Sequence, residues 1–254
     1  MYLFFLQPKR LTVHPFAIEN HFLILVMQKL LLLPVALIVL LAFKTQNKTK
    51  VIFFGDSITR LGVEKDKRSG TGYILRLDSM LKREKKADQF ELIGAGIDGN
   101  KVYDLYLRME DDVLSKNPDV VFVYVGINDI WHKTLLGTGT DADKFEKFYQ
   151  AIIDRLKSRN IKTVLCTPAV IGEKTDNTNQ QDGDLNRYSD IIRGLAIKNK
   201  LHVVDLRKDI MQRLKTINSD NKEKEVLTYD RVHMNNTGNQ FLADEMWKAL
   251  LQIK

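Results

Sequence analysis

Five short apolar runs, separated by longer amphipathic stretches, constrain the fold of this chain more than any other feature of its sequence. They are rich in β-branched and aromatic residues and span residues 51–54, 90–93, 120–125, 163–166 and 202–204. Parallel strands need long crossover connections, which helices commonly supply, and the helices then cover both faces of the sheet. The pattern therefore predicts a single α/β domain with a five-stranded parallel sheet.

Apolar residues at helical spacing predict the covering helices. One helix face is formed by Phe145, Phe148, Tyr149, Ile152, Ile153 and Leu156. A last helix is predicted over residues 236–251, and Asn235 is a candidate cap for its start. Residues 172–186 are polar and rich in turn-forming residues, so we predict a surface loop there.

The positive charge of the chain is concentrated at its N-terminal end. The formal net charge is +7, but residues 1–50 hold six of the 39 basic residues and one of the 32 acidic ones. Residues 51–254 thus carry 33 basic and 31 acidic residues, a net charge of +2. Nucleic acid is therefore not an expected partner of the folded domain.

Residues 1–48 are predicted to form a hydrophobic leader in front of a folded domain at 49–254. Residues 30–43 are an unbroken apolar run that follows Met27 and Lys29, and its length is typical of the apolar region of a signal peptide. No small-x-small cleavage site follows the run, so an uncleaved membrane anchor is the alternative. Both interpretations favour an exported or membrane-anchored protein over a cytoplasmic one.

The single cysteine, Cys166, limits the chemistry that cysteine can supply. One cysteine excludes an intramolecular disulfide and a zinc site built from several cysteines. Because Cys166 lies in an apolar run, we expect it to be a buried structural residue.

Residues with catalytic potential follow three of the five predicted strands directly. Gly55-Asp56-Ser57 follows the first, Gly-Ala-Gly-Ile-Asp-Gly-Asn at 94–100 follows the second, and Gly-Ile-Asn-Asp at 126–129 follows the third. A fourth group, Asp-Arg-Val-His at 230–233, precedes the last helix. Because the carboxyl ends of parallel strands meet at one edge of the sheet, these groups are expected to form one site.

Acyl transfer needs a nucleophile, a base, a group that orients the base, and donors for the oxyanion. Ser57 is the predicted nucleophile and His233 its base, with Asp230 placed to orient the imidazole. The remaining histidines have weaker contexts: His14, His21, His132 and His202.

The predicted oxyanion donors are the backbone N–H groups of Ser57 and Gly99 and the side-chain amide of Asn128. A glycine permits close approach of the backbone, and an amide is a neutral donor that does not compete for the proton. Substrate contacts are predicted for Asp56 and for Trp131 and His132, which are placed on a loop after the asparagine.

These four groups resemble the blocks of the SGNH hydrolase superfamily, also called GDSL lipases and esterases, over nearly all of residues 51–254. Gly55-Asp56-Ser57-Ile58 resembles the nucleophile block, and residues 96–99 with Asp104, Leu105 and Arg108 resemble the glycine block. Residues 126–129 and 230–233 resemble the asparagine and Asp-x-x-His blocks. Two departures are Ile58 in place of leucine and Asn100 in place of a small or hydroxylated residue.

The resemblance implies a flavodoxin-like three-layer α/β/α fold and hydrolysis through an acyl-enzyme, without a metal or other cofactor. The Gly-x-Ser-x-Gly elbow of α/β-hydrolases is absent from the chain. The implied substrate is a small-molecule ester. The polar loop predicted at residues 172–186 and the near-neutral charge of the domain favour small acyl esters, such as acetylated carbohydrates, over long-chain lipids.

The sequence leaves three other functions to be weighed. A lysophospholipase or thioesterase acting on lipids is the alternative within the same chemistry. A non-catalytic, membrane-tethered module that binds carbohydrate or lipid is the alternative of another class. A nucleotide- or flavin-binding domain is disfavoured, because no phosphate loop or dinucleotide fingerprint opens a helix.

Overall fold

The central sheet has the predicted number and direction of strands. The computed structural model describes residues 47–253. Its sheet contains β1 (Thr49–Gly55), β4 (Phe90–Gly96), β5 (Val120–Tyr124), β6 (Lys162–Cys166) and β7 (His202–Val204). Neighbouring strands are parallel throughout, in the order β4-β1-β5-β6-β7. The prediction of a five-stranded parallel sheet is therefore confirmed.

Helices flank this sheet, as the predicted α/β class requires. They are α1 (Ser57–Leu61), α2 (Tyr73–Arg83), α3 (Val102–Asp112), α4 (Ile127–Leu136), α5 (Ala142–Ser158), α6 (Asp182–Asn199), α7 (Leu206–Ile217) and α8 (Asn236–Gln252). Helix α2 packs against α8, and α3 packs against α5. A short antiparallel pair, β2 (Lys65–Asp66) and β3 (Gly70–Thr71), and a 3-10 turn at Leu114–Lys116 lie between these elements.

The strand order creates a crevice at the end of β1. From β1 the chain passes to β4 on one side and then crosses to β5 on the other side. Such a reversal of direction leaves an open space beyond the carboxyl ends of the strands, where α/β proteins commonly bind ligands. The segments after β1, β4 and β5 therefore begin at the same place.

The core explains why the strands have unbroken apolar sequences. Residues 51–55 of β1 and the whole of β5 are buried, because each strand has a neighbour on both sides and helices above and below. Phe53 and Phe122 stack across the two strands with ring centroids 4.9 Å apart. Cys166 is likewise buried in β6, as expected.

The predicted apolar face of α5 points largely into this core. Five of the six apolar residues on α5 are buried, and Phe148 is the exception, since it packs at the edge against Tyr106. Helix α8 begins where predicted, with the Asn235 side chain accepting hydrogen bonds from the backbone N–H groups of Thr237 and Gly238.

The prediction of a surface loop over residues 172–186 is only partly right: residues 172–181 form no helix or strand and residues 176–178 are exposed, but the rest differs. Glu173 is fully buried, and α6 begins at Asp182 and contains the rest of the segment. Asp182 itself is buried because it forms an ion pair of 2.7 Å with the buried Arg207. Polar residues normally mark exposed loops, but here they have partners that only the tertiary structure supplies.

The predicted leader, residues 1–48, falls almost wholly outside the described residues. The signal-peptide and membrane-anchor interpretations, and the export or tethering that they imply, therefore stay predictions. Within residues 47–253, none of the helices combines the length and apolarity needed to cross a membrane.

Candidate active site

The nucleophile block forms a sharp turn from β1 into α1. Ser57 is the first residue of α1, and Asp56 caps the helix by accepting a hydrogen bond of 3.0 Å from the backbone N–H of Ile58. A Cβ atom at Gly55 would lie 2.4 Å from the Tyr124 carbonyl oxygen, so only glycine fits there. The turn holds the largely buried Ser57 at the carboxyl end of the sheet.

Asp56 has a structural role next to Ser57, and its predicted contact with substrate stays a prediction. Its carboxylate is buried and serves as the cap of α1. Burial raises the pKa of Asp56 to about 6, although the Ile58 hydrogen bond and nearby His233 act in the opposite direction. The sequence could not separate the two roles, because a helix cap and a substrate ligand both call for a short polar side chain.

Ser57, His233 and Asp230 form one hydrogen-bonded chain. Ser57 Oγ lies 2.9 Å from His233 Nε2, and His233 Nδ1 lies 2.7 Å from Asp230 Oδ2. An Nδ1–H that donates to the carboxylate leaves Nε2 free to accept the serine proton. The fold thus joins a serine and a histidine 176 positions apart in the geometry that proton transfer requires.

The environment of Asp230 favours the ionised form of its carboxylate. Burial disfavours the charge on Asp230, but hydrogen bonds from the ring and the backbone N–H of His233 outweigh it. The pKa of Asp230 therefore lies below its ordinary value. The second carboxylate oxygen, Oδ1, accepts the backbone N–H groups of His233 at 2.8 Å and Val232 at 3.1 Å.

A tight turn brings Asp230 under the imidazole. Arg231 has a φ of 91°, a left-handed conformation that is costly for a residue other than glycine. Thr228 and Met234 pair across the base of the turn as an antiparallel bridge. The backbone N–H of Tyr229 donates to the His233 carbonyl oxygen at 2.9 Å.

Two aromatic side chains flank the histidine. The Tyr229 ring stacks on His233 with centroids 5.7 Å apart and planes 14° apart, and the Arg68 guanidinium lies 5.2 Å from the Tyr229 centroid. Trp131 meets His233 edge-on at 6.3 Å. Tyr229 was not among the predicted site residues, although its position directly before Asp230 is a signal in the sequence.

Trp131 and His132 lie in helix α4, so their predicted placement on a loop is wrong. Gly126 is the N-cap of this helix, and Val125 alone separates it from the end of β5, so the chain enters the helix before it reaches Trp131. His132 lies next to Gly99, and its Nδ1 is buried without a hydrogen-bond partner in the described region. Burial, together with the nearby Lys101 charge, lowers the pKa of His132.

The candidate oxyanion donors lie around the same crevice. Gly99 has a φ of +73°, which favours glycine at this position. Asn128 is buried, and its Nδ2 donates 3.1 Å to the Asn100 carbonyl oxygen, which leaves the second amide hydrogen available. The backbone N–H groups of Ser57 and Gly99 have no acceptor within residues 47–253.

Arg108 holds the nucleophile and glycine blocks together. Its guanidinium donates to the Gly55 carbonyl oxygen at 2.7 Å, the Ala95 carbonyl oxygen at 3.0 Å and Asn100 Oδ1 at 2.7 Å. It also lies 4.5 Å from the centre of the Phe54 ring. This bracing role has no local signature, because the partners come from β1, β4 and the loop after β4.

Asp129 fixes the start of α3 beside the site. Both oxygens of this fully buried carboxylate lie 3.2 Å from the backbone N of Val102. Burial raises the pKa of Asp129 to about 7.

Within the described residues, no group of three or more His, Cys, Asp or Glu side chains is arranged to hold a metal ion.

The unfolding free energy is expected to fall as the pH rises from about 4 to 7. The pKa values of Asp129 and Asp56, about 7 and about 6, lie above the ordinary value near 4, so the folded state binds more protons in this range. Urea unfolding at several pH values measures the slope, which should flatten in Asp129→Asn. An unchanged slope in that variant would contradict the raised pKa.

Comparisons with known proteins agree with this architecture. A model of the GDSL-like Lipase/Acylhydrolase family matches residues 53–241. The chain is 61% identical to the solved acetyl xylan esterase AlAXEase, with a TM-score of 0.76, over 79% of this chain and 99% of that one. It is 28% identical to the acetylxylan esterase of Geobacillus stearothermophilus, over 79% of this chain and 93% of the relative.

A third structure is more distant. LAE5, described as an alpha/beta hydrolase enzyme from the metagenome of Lake Arreo in Spain, is 25% identical, with a TM-score of 0.69, over 81% of this chain and 96% of that one. The family model spans most of the chain and both acetylxylan esterases match nearly their whole length, which confirms the resemblance seen in the sequence. The chain belongs to the GDSL-like lipase/acylhydrolase family and is an ester hydrolase of the SGNH type.

Proposed function

We propose that the protein removes acetyl groups from acetylated carbohydrates of the xylan type, with Ser57 as nucleophile and His233 and Asp230 as its activating pair. One observation carries the chemistry: Ser57 Oγ, the His233 ring and the Asp230 carboxylate form a continuous hydrogen-bonded chain. A serine hydroxyl is a poor nucleophile at its ordinary pKa, so this contact with a base is what makes attack feasible.

The reaction proceeds in two half-reactions. His233 Nε2 takes the proton of Ser57 as Oγ bonds to the acetyl carbonyl carbon, and the carbonyl oxygen becomes an oxyanion. His233 then gives the proton to the leaving sugar oxygen as the ester bond breaks, which leaves an acetyl group on Ser57. Water attacks the acetyl-enzyme with His233 again as base, and acetate and free Ser57 result.

Asp230 and three donors stabilise the charges that develop. Its ionised carboxylate holds the Nδ1–H tautomer of His233 and stabilises the imidazolium formed on attack. The backbone N–H groups of Ser57 and Gly99 and the free amide hydrogen of Asn128 receive the oxyanion. Arg108 keeps the backbone segments that carry two of these donors at a fixed separation.

The proposed substrate class rests on the relatives and on the side chains around the crevice. Two acetylxylan esterases match nearly their whole length to this chain. Solved catalytic mutants of the Geobacillus enzyme replace a serine and an aspartate by alanine. In this chain the partly exposed ring of Trp131 lies beside His233, where it offers an apolar face to a sugar, and His132 offers a polar edge.

Competing esters test the proposal. Acetylated xylo-oligosaccharides and acetyl, butyryl and palmitoyl esters of one chromogenic alcohol are compared by kcat/KM. We expect acetate release from the oligosaccharides and about a tenfold or greater preference for acetyl over palmitoyl ester, because the proposed substrates carry a two-carbon acyl group and discrimination follows differences in transition-state binding. Faster cleavage of palmitoyl ester or a lysophospholipid would favour the lipid acylhydrolase, and binding without turnover of any ester would favour the non-catalytic module.

A further inference from the structure

We propose that Glu173 is a positioning residue for hydrolysis, which holds the segment that carries Asp230 and His233 so that the imidazole faces Ser57. This inference rests on the proposed function, since it concerns how the proposed base is placed. It assigns a role to a residue that is distant from the four sequence blocks and that does not touch the reacting atoms.

Glu173 is the only fully buried acidic residue besides Asp129 within residues 47–253. Its Oε1 accepts the backbone N–H groups of Leu227 at 2.7 Å and Thr228 at 2.6 Å, and its Oε2 accepts that of Val226 at 2.9 Å. An ionised carboxylate is expensive to bury unless hydrogen bonds satisfy it. Here the bonds come from three consecutive backbone groups of one segment, so we call residues 226–228 the clamped segment.

The clamped segment leads directly into the catalytic turn. Thr228, its last residue, pairs with Met234 across the base of the turn that contains residues 229–233. Thr228 Oγ1 also accepts the backbone N–H of Arg231 at 3.1 Å. The position of the clamped segment therefore determines where Asp230 and His233 lie.

A second contact holds the turn itself. The backbone N–H of Gly172, adjacent to Glu173, donates to the Arg231 carbonyl oxygen at 2.9 Å. The Glu173 backbone is in turn fixed by the Glu223 carbonyl oxygen at 2.9 Å and by Asn218 Nδ2 at 2.8 Å. Residues 172–173 thus hold two successive parts of the chain: Glu173 binds the clamped segment, and Gly172 binds the turn that follows it.

These contacts connect the catalytic turn to the central sheet. Residues 169–171, between β6 and Gly172, are fully buried, so Glu173 extends from a rigid part of the core. Ser57 is fixed to β1 through Gly55, whereas Asp230 and His233 lie on an irregular segment with no strand of the sheet directly before them. Catalytic groups must be held to within a fraction of an ångström, and the Glu173 carboxylate supplies the rigidity that a loop lacks.

Glu173→Gln is the main test, because it preserves the size of the side chain. The amide oxygen can keep the two bonds at Oε1, but an NH₂ group would then face the N–H of Val226, donor against donor. We expect kcat for a chromogenic acetyl ester to fall by about ten- to a hundredfold, as small misplacements of catalytic groups typically do. KM should stay within about twofold, because the proposed substrate contacts lie on other segments.

A spectroscopic signature separates positioning from general loosening. The proton shared between His233 Nδ1 and Asp230 should give a far-downfield proton NMR resonance, which we expect to shift or broaden in Glu173→Gln. Asp182→Asn is the matched control, because it removes another buried carboxylate from the same region by breaking the ion pair with Arg207. The control should lower the melting temperature but leave kcat within about twofold and the resonance in place.

Glu173→Asp provides a second variant if Glu173→Gln does not fold. It keeps the carboxylate but shortens the side chain by one methylene group, so its oxygens no longer reach all three backbone N–H groups of the clamped segment. A roughly tenfold loss of kcat with unchanged KM and a shifted resonance would support the proposal. A folded Glu173→Gln or Glu173→Asp protein with wild-type kcat and resonance would overturn it, as would an equal loss of kcat in Asp182→Asn.

Failure of this inference is distinguishable from failure of the proposed function. If Ser57→Ala is measured in the same series and remains active, the proposed triad is wrong. If Ser57→Ala is inactive while Glu173→Gln behaves as wild type, the triad stands and only the role of Glu173 is refuted.

Discussion

Replacement of Ser57 by alanine is expected to lower kcat for acetyl ester hydrolysis by about 10⁴- to 10⁶-fold while the protein stays folded. The loss is large because no acyl-enzyme can form, and only the oxyanion donors and substrate binding remain. His233→Ala should cost about as much, and the double variant little more, because the two residues act as one unit. Initial rates and labelling of Ser57 by a fluorophosphonate probe measure the effect.

Ser115→Ala is the matched control for this prediction. Ser115 is an exposed serine whose hydroxyl bonds only to the Asp111 carbonyl oxygen one turn earlier. It should retain wild-type activity and melting temperature. Activity that persists in Ser57→Ala, or fluorophosphonate labelling of that variant at the wild-type rate, would exclude Ser57 as the nucleophile.

Asp230→Asn is expected to lower kcat by about 10⁴-fold, as the equivalent change does in serine proteases. The asparagine oxygen would keep the backbone bonds that Oδ1 accepts from Val232 and His233. Its NH₂ group would then face Nδ1 and favour the imidazole tautomer with the proton on Nε2. That nitrogen could no longer accept the proton of Ser57.

The Asp230 prediction is checked by steady-state rates together with the rate of fluorophosphonate labelling, which reports nucleophile activation. Asp220→Asn, an exposed change in the loop before the clamped segment, should have no effect on either rate. A loss smaller than about tenfold in Asp230→Asn would show that His233 is oriented by another group.

Much of the fold could be predicted because its signals are local. Each buried strand is a short apolar run, and each of the first three strands ends in residues suited to a turn. Helix α8 starts at a capping residue that the sequence displays. Such features depend on a few consecutive residues, so they can be recognised without knowledge of the partners.

One error arose where two distant segments determine the structure. Residues 172–186 have the composition of a surface loop but contain the buried Glu173, whose hydrogen-bond partners lie at residues 226–228. The burial of a polar residue depends on a hydrogen-bond partner elsewhere in the chain. Composition alone assigns Glu173 to the surface.

By itself, the sequence determined the class of fold, the edge of the sheet at which the site lies, and the residues proposed for acyl transfer. Only the tertiary structure decided that Ser57 and His233 come within 2.9 Å, that Arg108 joins two blocks, and that Glu173 holds the catalytic turn. The physical reason is that strand periodicity and turn chemistry act over a few residues. Burial of a charge, in contrast, requires donors that folding brings from more than 50 residues away.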